Sequence, residues 1–220
     1  MNVRDVARRL PDIATLRNLC RSMATLDAIL QPGAPYLRHH RFDAHWSATQ
    51  ELASVDNGGG DAYSVVFSAA GAYIRGFDHE SPMSPYAGDG TPWPGVVDTV
   101  PEVFRSCVEE PAFQLEGIAH ITVCLWRENT DGQWRTGEVD FEGGRLVPDG
   151  SDWLFRRLVD GTPEKYQAWA QRYYRTPVDL DAVIDVYELR PLTPELVLAL
   201  NPAVTLEQLG DTIASIGYRA

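Results

Sequence analysis

The sequence predicts an α+β protein in which an antiparallel sheet of about six strands, drawn from residues 36–77 and 118–141, is flanked by an N-terminal helix and a C-terminal helical cluster. Three observations lead there. Apolar residues recur at helical spacing before position 31, alternate two by two through 36–77 and again through 118–141, and return to helical spacing after 151.

Ile13, Leu16, Leu19, Cys20, Met23, Leu26 and Leu30 follow Pro11-Asp12 at three- and four-residue intervals, which predicts an amphipathic helix over 12–30. A shorter helical turn on Val3, Val6 and Leu10 precedes it, and Gln31-Pro32-Gly33-Ala34-Pro35 stops helix formation. Residues 36–43, 50–56, 62–68 and 72–77 then read as strands of a meander. Tyr63, Val65 and Phe67 should face one side, and Ser64, Val66 and Ser68 the other, as in a half-buried strand.

Between two of these strands, Gly58-Gly59-Gly60 invites comparison with a phosphate cradle. It lacks both the Lys-Ser/Thr of a P-loop and the spacing of a dinucleotide turn, and a strand follows it where those motifs open a helix. A hairpin is the expectation.

Residues 78–101 hold Pro82, Pro85, Pro92, Pro94 and Pro101 interleaved with Gly88, Gly90 and Gly95, so regular structure is not expected. Long irregular segments in compact domains tend to carry function. A short helix follows through Val108, then a strand over Ile118–Trp126 that places His120 beside Thr122, Cys124 and Trp126. Asn129-Thr130-Asp131-Gly132 turns the chain back into a strand over Trp134–Phe141.

After Ser151, Thr162-Pro163-Glu164 and Thr193-Pro194-Glu195 each combine a capping hydroxyl, a first-turn proline and an acid that suits the helix dipole, and Thr205 to Gln208 fits a capping box. Tyr166, Trp169, Ala170 and Tyr173 form one apolar stripe, and Val183, Ile184 and Tyr187 another. At 220 residues the chain fits one domain, 1–220, made of N-terminal helices (1–35), the sheet with its long loop (36–147) and a helical cluster packed on the sheet (151–220).

The net charge of −12 argues against a nucleic-acid groove, because phosphate recognition needs clustered cations. Eleven acids against three arginines lie in 50–127, so the negative charge gathers around the proline-rich segment. Cys20, Cys107 and Cys124 are widely spaced and read as buried fillers; no apolar run suits a membrane span, and a cytoplasmic location is the expectation.

Candidate chemistry is sparse. His79 stands between Asp78 and Glu80 at the end of a strand, a setting for a general base or a metal ligand, but Met83 occupies the position where a zincin helix needs its second histidine. Of the cluster His39, His40 and His45, the first two lie on the strand 36–43, point to opposite faces and cannot share an ion without distortion. No GxSxG elbow and no cysteine signature occur. The residues therefore indicate a binding protein before an enzyme, with neither metal nor cofactor.

The segment Ala72-Tyr73-Ile74-Arg75-Gly76-Phe77-Asp78-His79-Glu80-Ser81-Pro82 resembles one in uncharacterised bacterial proteins, and the chain as a whole is similar in character to the immunity proteins of polymorphic toxin systems. The resemblance implies an immunity or antitoxin type of protein; the charge, the long aromatic-bearing loop and the absence of catalytic signatures indicate one that occludes a basic partner, such as a toxin, without contacting nucleic acid or membrane. On the residues themselves, the partner-binding set is Asp78, His79, Glu80, Tyr86, Asp89 and Trp93. The alternative is a small-molecule enzyme or ligand-binding domain with a pocket around Arg75, Asp78, His79 and Glu80.

Overall fold

The computed structural model describes residues 1–140 and 149–220 and is α+β. Its strands in chain order are β1 (His40–Asp43), β2 (Gln50–Asp56), β3 (Ala62–Ser68), β4 (Gly71–Phe77), β5 (Gln114–Leu115), β6 (Ile118–Ala119), β7 (Val123–Glu128) and β8 (Arg135–Thr136). Six of them form one antiparallel sheet in the order β1-β2-β3-β4-β7-β8, and β5 and β6 make a separate ribbon. The chain divides into two compact units, Met1–Ile13 with Asp56–Val159, and Ala14–Val55 with Asp160–Ala220.

In the first unit, helix α1 (Val3–Arg9) starts at a capping box made by Asn2 and Asp5. β3 pairs with β4 from Ala62↔Phe77 to Ser68↔Gly71, and β4 pairs with β7 from Gly71↔Glu128 to Gly76↔Val123. β4 is buried along its whole length, and β3 is buried on both faces, where alternation predicts one wet face. Ser64 tolerates that burial because its hydroxyl accepts from Arg75 Nη2 at 3.3 Å.

The single strand expected over Ile118–Trp126 is two. His120 N donates to Phe113 O in the ribbon, whereas Thr122 N donates to Gly76 O in the main sheet, so the chain changes partner at Ile121. The strand expected over Trp134–Phe141 contributes Arg135–Thr136, paired as Leu125↔Thr136 and Trp126↔Arg135; Phe141, like the rest of 141–148 within the sheet segment 36–147, lies outside the described residues. Helices α3 (Arg105–Val108), α4 (Ser151–Leu154) and α5 (Arg156–Val159) complete this unit.

The second unit is built on α2 (Ile13–Leu30). Leu16 and Cys20 lie on its apolar stripe as the spacing predicts, but from Ser22 to Leu30 the helix is buried all round. Its polar groups there are bonded: Ser22 Oγ donates to Val186 O at 3.0 Å, and Asp27 has several donors. Helices α6 (Pro163–Tyr174), α8 (Pro194–Leu200) and α9 (Leu206–Ile216) begin at the Thr162, Thr193 and Thr205 caps expected of them, and α7 (Leu180–Tyr187) is capped by Asp179.

β1 pairs with β2 from His40↔Val55 to Asp43↔Leu52, but starts four residues later than predicted, because Pro35–Leu37 forms a 3₁₀ turn. His39 therefore precedes the strand, and its ring lies 4.7 Å from that of His40 instead of on the opposite face. Both rings pack on Trp169, at 5.0 and 4.8 Å.

The three cysteines are free and buried. Burial pushes the thiols of Cys20 and Cys124 up to about 12 and that of Cys107 up to about 11. Among the described residues, no helix is long and apolar enough to cross a membrane.

Candidate functional site

The triple glycine forms the turn expected of it, and that turn delivers a carboxylate. Asn57 Oδ1 accepts from Gly59 N at 2.7 Å and from Asp61 N at 3.1 Å, and Asn57 N donates to Asp61 O at 3.1 Å. Gly58 and Gly60 supply the positive φ values, +71° and +102°. Asp61 is held there with Asn57 Nδ2 donating to its Oδ2 at 2.6 Å.

The end of β4 brings the facing groups. Asp78 N donates to Thr122 Oγ1 at 3.2 Å, and Thr122 Oγ1 in turn donates to Asp149 O at 2.9 Å, fixing the point where strand becomes loop. His79 then meets Asp61 twice: its backbone N donates to Asp61 Oδ1 at 3.0 Å, and its ring Nδ1 lies 2.6 Å from the same oxygen. Asp78 accepts from Glu80 N at 3.0 Å and from Trp153 Nε1 at 3.3 Å. The donor atoms of Asp61, Asp78 and His79 all lie within 4.8 Å of one another.

The electrostatics follow from these bonds. The hydrogen bond to Asp61 raises the His79 imidazole above its ordinary value. Burial acts to raise the Asp61 carboxyl, but the bonds from His79 and Asn57 outweigh it and hold that group below its ordinary value. With Nδ1 committed to Asp61, the histidine presents Nε2 outward, on a side chain 45% exposed. A carboxylate-braced imidazole of this form can exchange a proton at Nε2.

The other predicted residues separate. The Glu80 side chain is 85% exposed, with Oε1 4.0 Å from His79 Nε2. Arg75 turns away from the three and is buried: Nη1 donates to His120 O at 2.7 Å, and the guanidinium lies 4.3 Å over the Phe113 ring. Burial pushes Arg75 down to about 10. The pocket expected around Arg75, Asp78, His79 and Glu80 thus lacks its arginine.

That arginine instead holds the backbone of His120, which reaches the loop. His120 stacks on Phe77 at 4.4 Å, and its Nε2 lies 2.7 Å from the Tyr86 hydroxyl. His120 is thus hydrogen-bonded and half-buried. Burial lowers its imidazole, and the Arg75 charge adds to that. The loop itself is anchored at both ends and open in the middle. Ser81, Met83, Ser84 and Pro85 are buried on one side and Val96 and Val100 on the other, while Tyr86 is 49% and Trp93 37% exposed. Asp89 stands on the crest in a local turn, accepting from Thr91 N and Thr91 Oγ1.

No family model, curated protein or solved structure matches the chain. The functional reading therefore rests on these side chains alone.

Two features escape the sequence. Asp61 and Trp153 complete the group around His79, but one follows a glycine turn and the other lies 75 positions from Asp78, with no spacing to connect them. A cleft of about 590 Å³ in the first unit is lined by Arg4, Arg8, Trp126, Trp134, Arg135 and Glu138, among others, from segments that look unremarkable apart from one another. In the second unit, Asp27, His40 and Tyr166 form a polar network without solvent access. That network is structural.

Proposed function

We propose that the protein is a recognition protein of immunity or antitoxin type, which occludes a basic partner protein with the crest of the 78–101 loop. The observation that carries this reading is the pair of exposed rings, Tyr86 and Trp93, on a loop whose two ends are buried. Aromatic side chains concentrate binding energy at protein interfaces. A loop already anchored on both sides loses less freedom when a partner closes on it.

Charge supports the same reading. Asp89 lies on the crest, Asp78 and Glu80 lie at its base, and the chain carries a net charge of −12. A negative field of this kind speeds encounter with a cationic surface and repels acidic proteins.

The test is copurification and calorimetry with the basic products of genes encoded beside this one. A partner bound at low salt, weakened by salt and weakened further by Trp93→Ala, supports occlusion by the crest. If none of those products binds, or if binding is indifferent to both Tyr86→Ala and Trp93→Ala, the reading fails.

A further inference from the structure

We propose that Asp61, Asp78 and His79 form a binding site for one first-row divalent transition ion of the zinc or manganese kind. The site goes beyond recognition at the loop crest and does not depend on it. Two carboxylate oxygens and one imidazole nitrogen make a mixed donor set. The imidazole favours transition ions over calcium and magnesium, and the carboxylates admit zinc and manganese alike.

The spacing suits one ion. At bond lengths of about 2.0–2.2 Å, two donor atoms on the same metal sit about 3–4 Å apart. The three donors already lie within 4.8 Å of one another, so small rotations of the carboxylates close the difference. His79 Nδ1 and Asp61 Oδ1 now lie 2.6 Å apart, and an ion between them would part them by about 0.4–1.4 Å.

Both carboxylates are held from outside. Asn57 Nδ2 holds the second oxygen of Asp61 at 2.6 Å, and Trp153 Nε1 holds Oδ2 of Asp78 at 3.3 Å. Glu80 lies 4.0 Å from His79 Nε2, so the ring's outer nitrogen faces a carboxylate while Nδ1 faces the donors.

The local charge favours a cation. Asp61 and Asp78 are each 8% exposed, and among the described residues neither is paired with a lysine or arginine. One imidazole cannot neutralise two buried carboxylates, whereas a divalent ion can. Space is kept by glycine: a Cβ at Gly150 would come within 2.5 Å of Asp78 Cβ and 3.0 Å of its Oδ2, and one at Gly60 within 3.2 Å of His79 Cγ.

The experiment is isothermal titration of the full chain, freed of metal by chelator and dialysis, with zinc chloride and with manganese chloride, and in parallel with magnesium and calcium chloride. One equivalent of zinc or manganese should bind, more tightly than magnesium or calcium. Affinity should fall more than about 10-fold in His79→Gln and in Asp78→Asn, and remain unchanged in Trp93→Ala. Because the His79 side chain is half exposed, its variant retains the fold, and circular dichroism checks this; should Asp78→Asn not fold, His79→Gln alone decides. The proposal is overturned by the absence of a saturable single equivalent of zinc or manganese, by equal affinity in His79→Gln and the wild type, or by magnesium or calcium binding as tightly. Retained metal binding with lost partner binding in Trp93→Ala would separate this site from the crest.

Discussion

The Tyr166 hydroxyl donates to Asp27 Oδ1 at 2.5 Å, joining positions 139 apart at the centre of the second unit. His40 supplies its backbone N at 2.7 Å and its ring Nδ1 at 3.1 Å to the other oxygen. A buried carboxylate keeps its charge only with such donors, so each is worth more here than on a surface. Tyr166→Phe should cost about 1.5–3 kcal/mol and His40→Ala a similar amount. Asp27→Ala should cost about 3–5 kcal/mol, since it strands the donors around it. Urea unfolding of each variant measures these losses.

The same carboxylate sets part of the acid response. Burial acts to raise the Asp27 carboxyl, but the His40 charge and the bonds from His40 and Tyr166 outweigh it and hold the group below its ordinary 3.8. A folded value below the unfolded one means the stabilisation is complete above 3.8 and is lost as pH falls through the folded value. The stability gap between the wild type and Asp27→Asn should therefore narrow as pH falls below about 4. Urea midpoints across that range would show a gap widening with acid if the sign were wrong.

Gly117 and Gly150 share a φ of +82° but differ in surroundings. A Cβ at Gly117 meets nothing within 4 Å, whereas one at Gly150 meets the Asp78 side chain at 2.5 Å. Gly117→Ala should cost only the left-handed backbone penalty of about 1–2 kcal/mol. Gly150→Ala should cost about 1–3 kcal/mol more, from the overlap. Thermal melts of the two variants isolate the close approach from the backbone term.

At the crest, Trp93→Ala should leave global stability within about 1 kcal/mol of the wild type, because the ring is partly exposed. The same substitution should weaken binding of the proposed basic partner by about 10-fold or more. Equal melting curves beside unequal titration curves would place the effect at the surface and not in the fold.

Fold class was legible because each element carried its own period and its own punctuation: the threonine caps of α6, α8 and α9 and the glycine turn before β3 stand where the residues put them. Misreadings arose where burial and partner choice are tertiary. β3 alternates in sequence yet is covered on both faces, and nothing local announces that Arg75 will make Ser64 tolerable there. His120 sits at a change of strand partner that periodicity cannot see, and a 3₁₀ turn delays β1 until His39 and His40 share one cluster. At the site, Asp78 and His79 were visible from their position at a strand end. Asp61 was not, because a turn residue gains its role only from what the fold brings opposite it.

The distribution of thiols makes the chain its own stopwatch. Cys20 belongs to the second unit, and Cys107 and Cys124 to the first. Each is shielded and stays protonated near neutrality, so an alkylating reagent reaches it only when the surrounding structure opens. Pulse labelling followed by peptide mass analysis then clocks the two units separately in one tube, and matching or divergent rates reveal whether they come apart in concert or in turn.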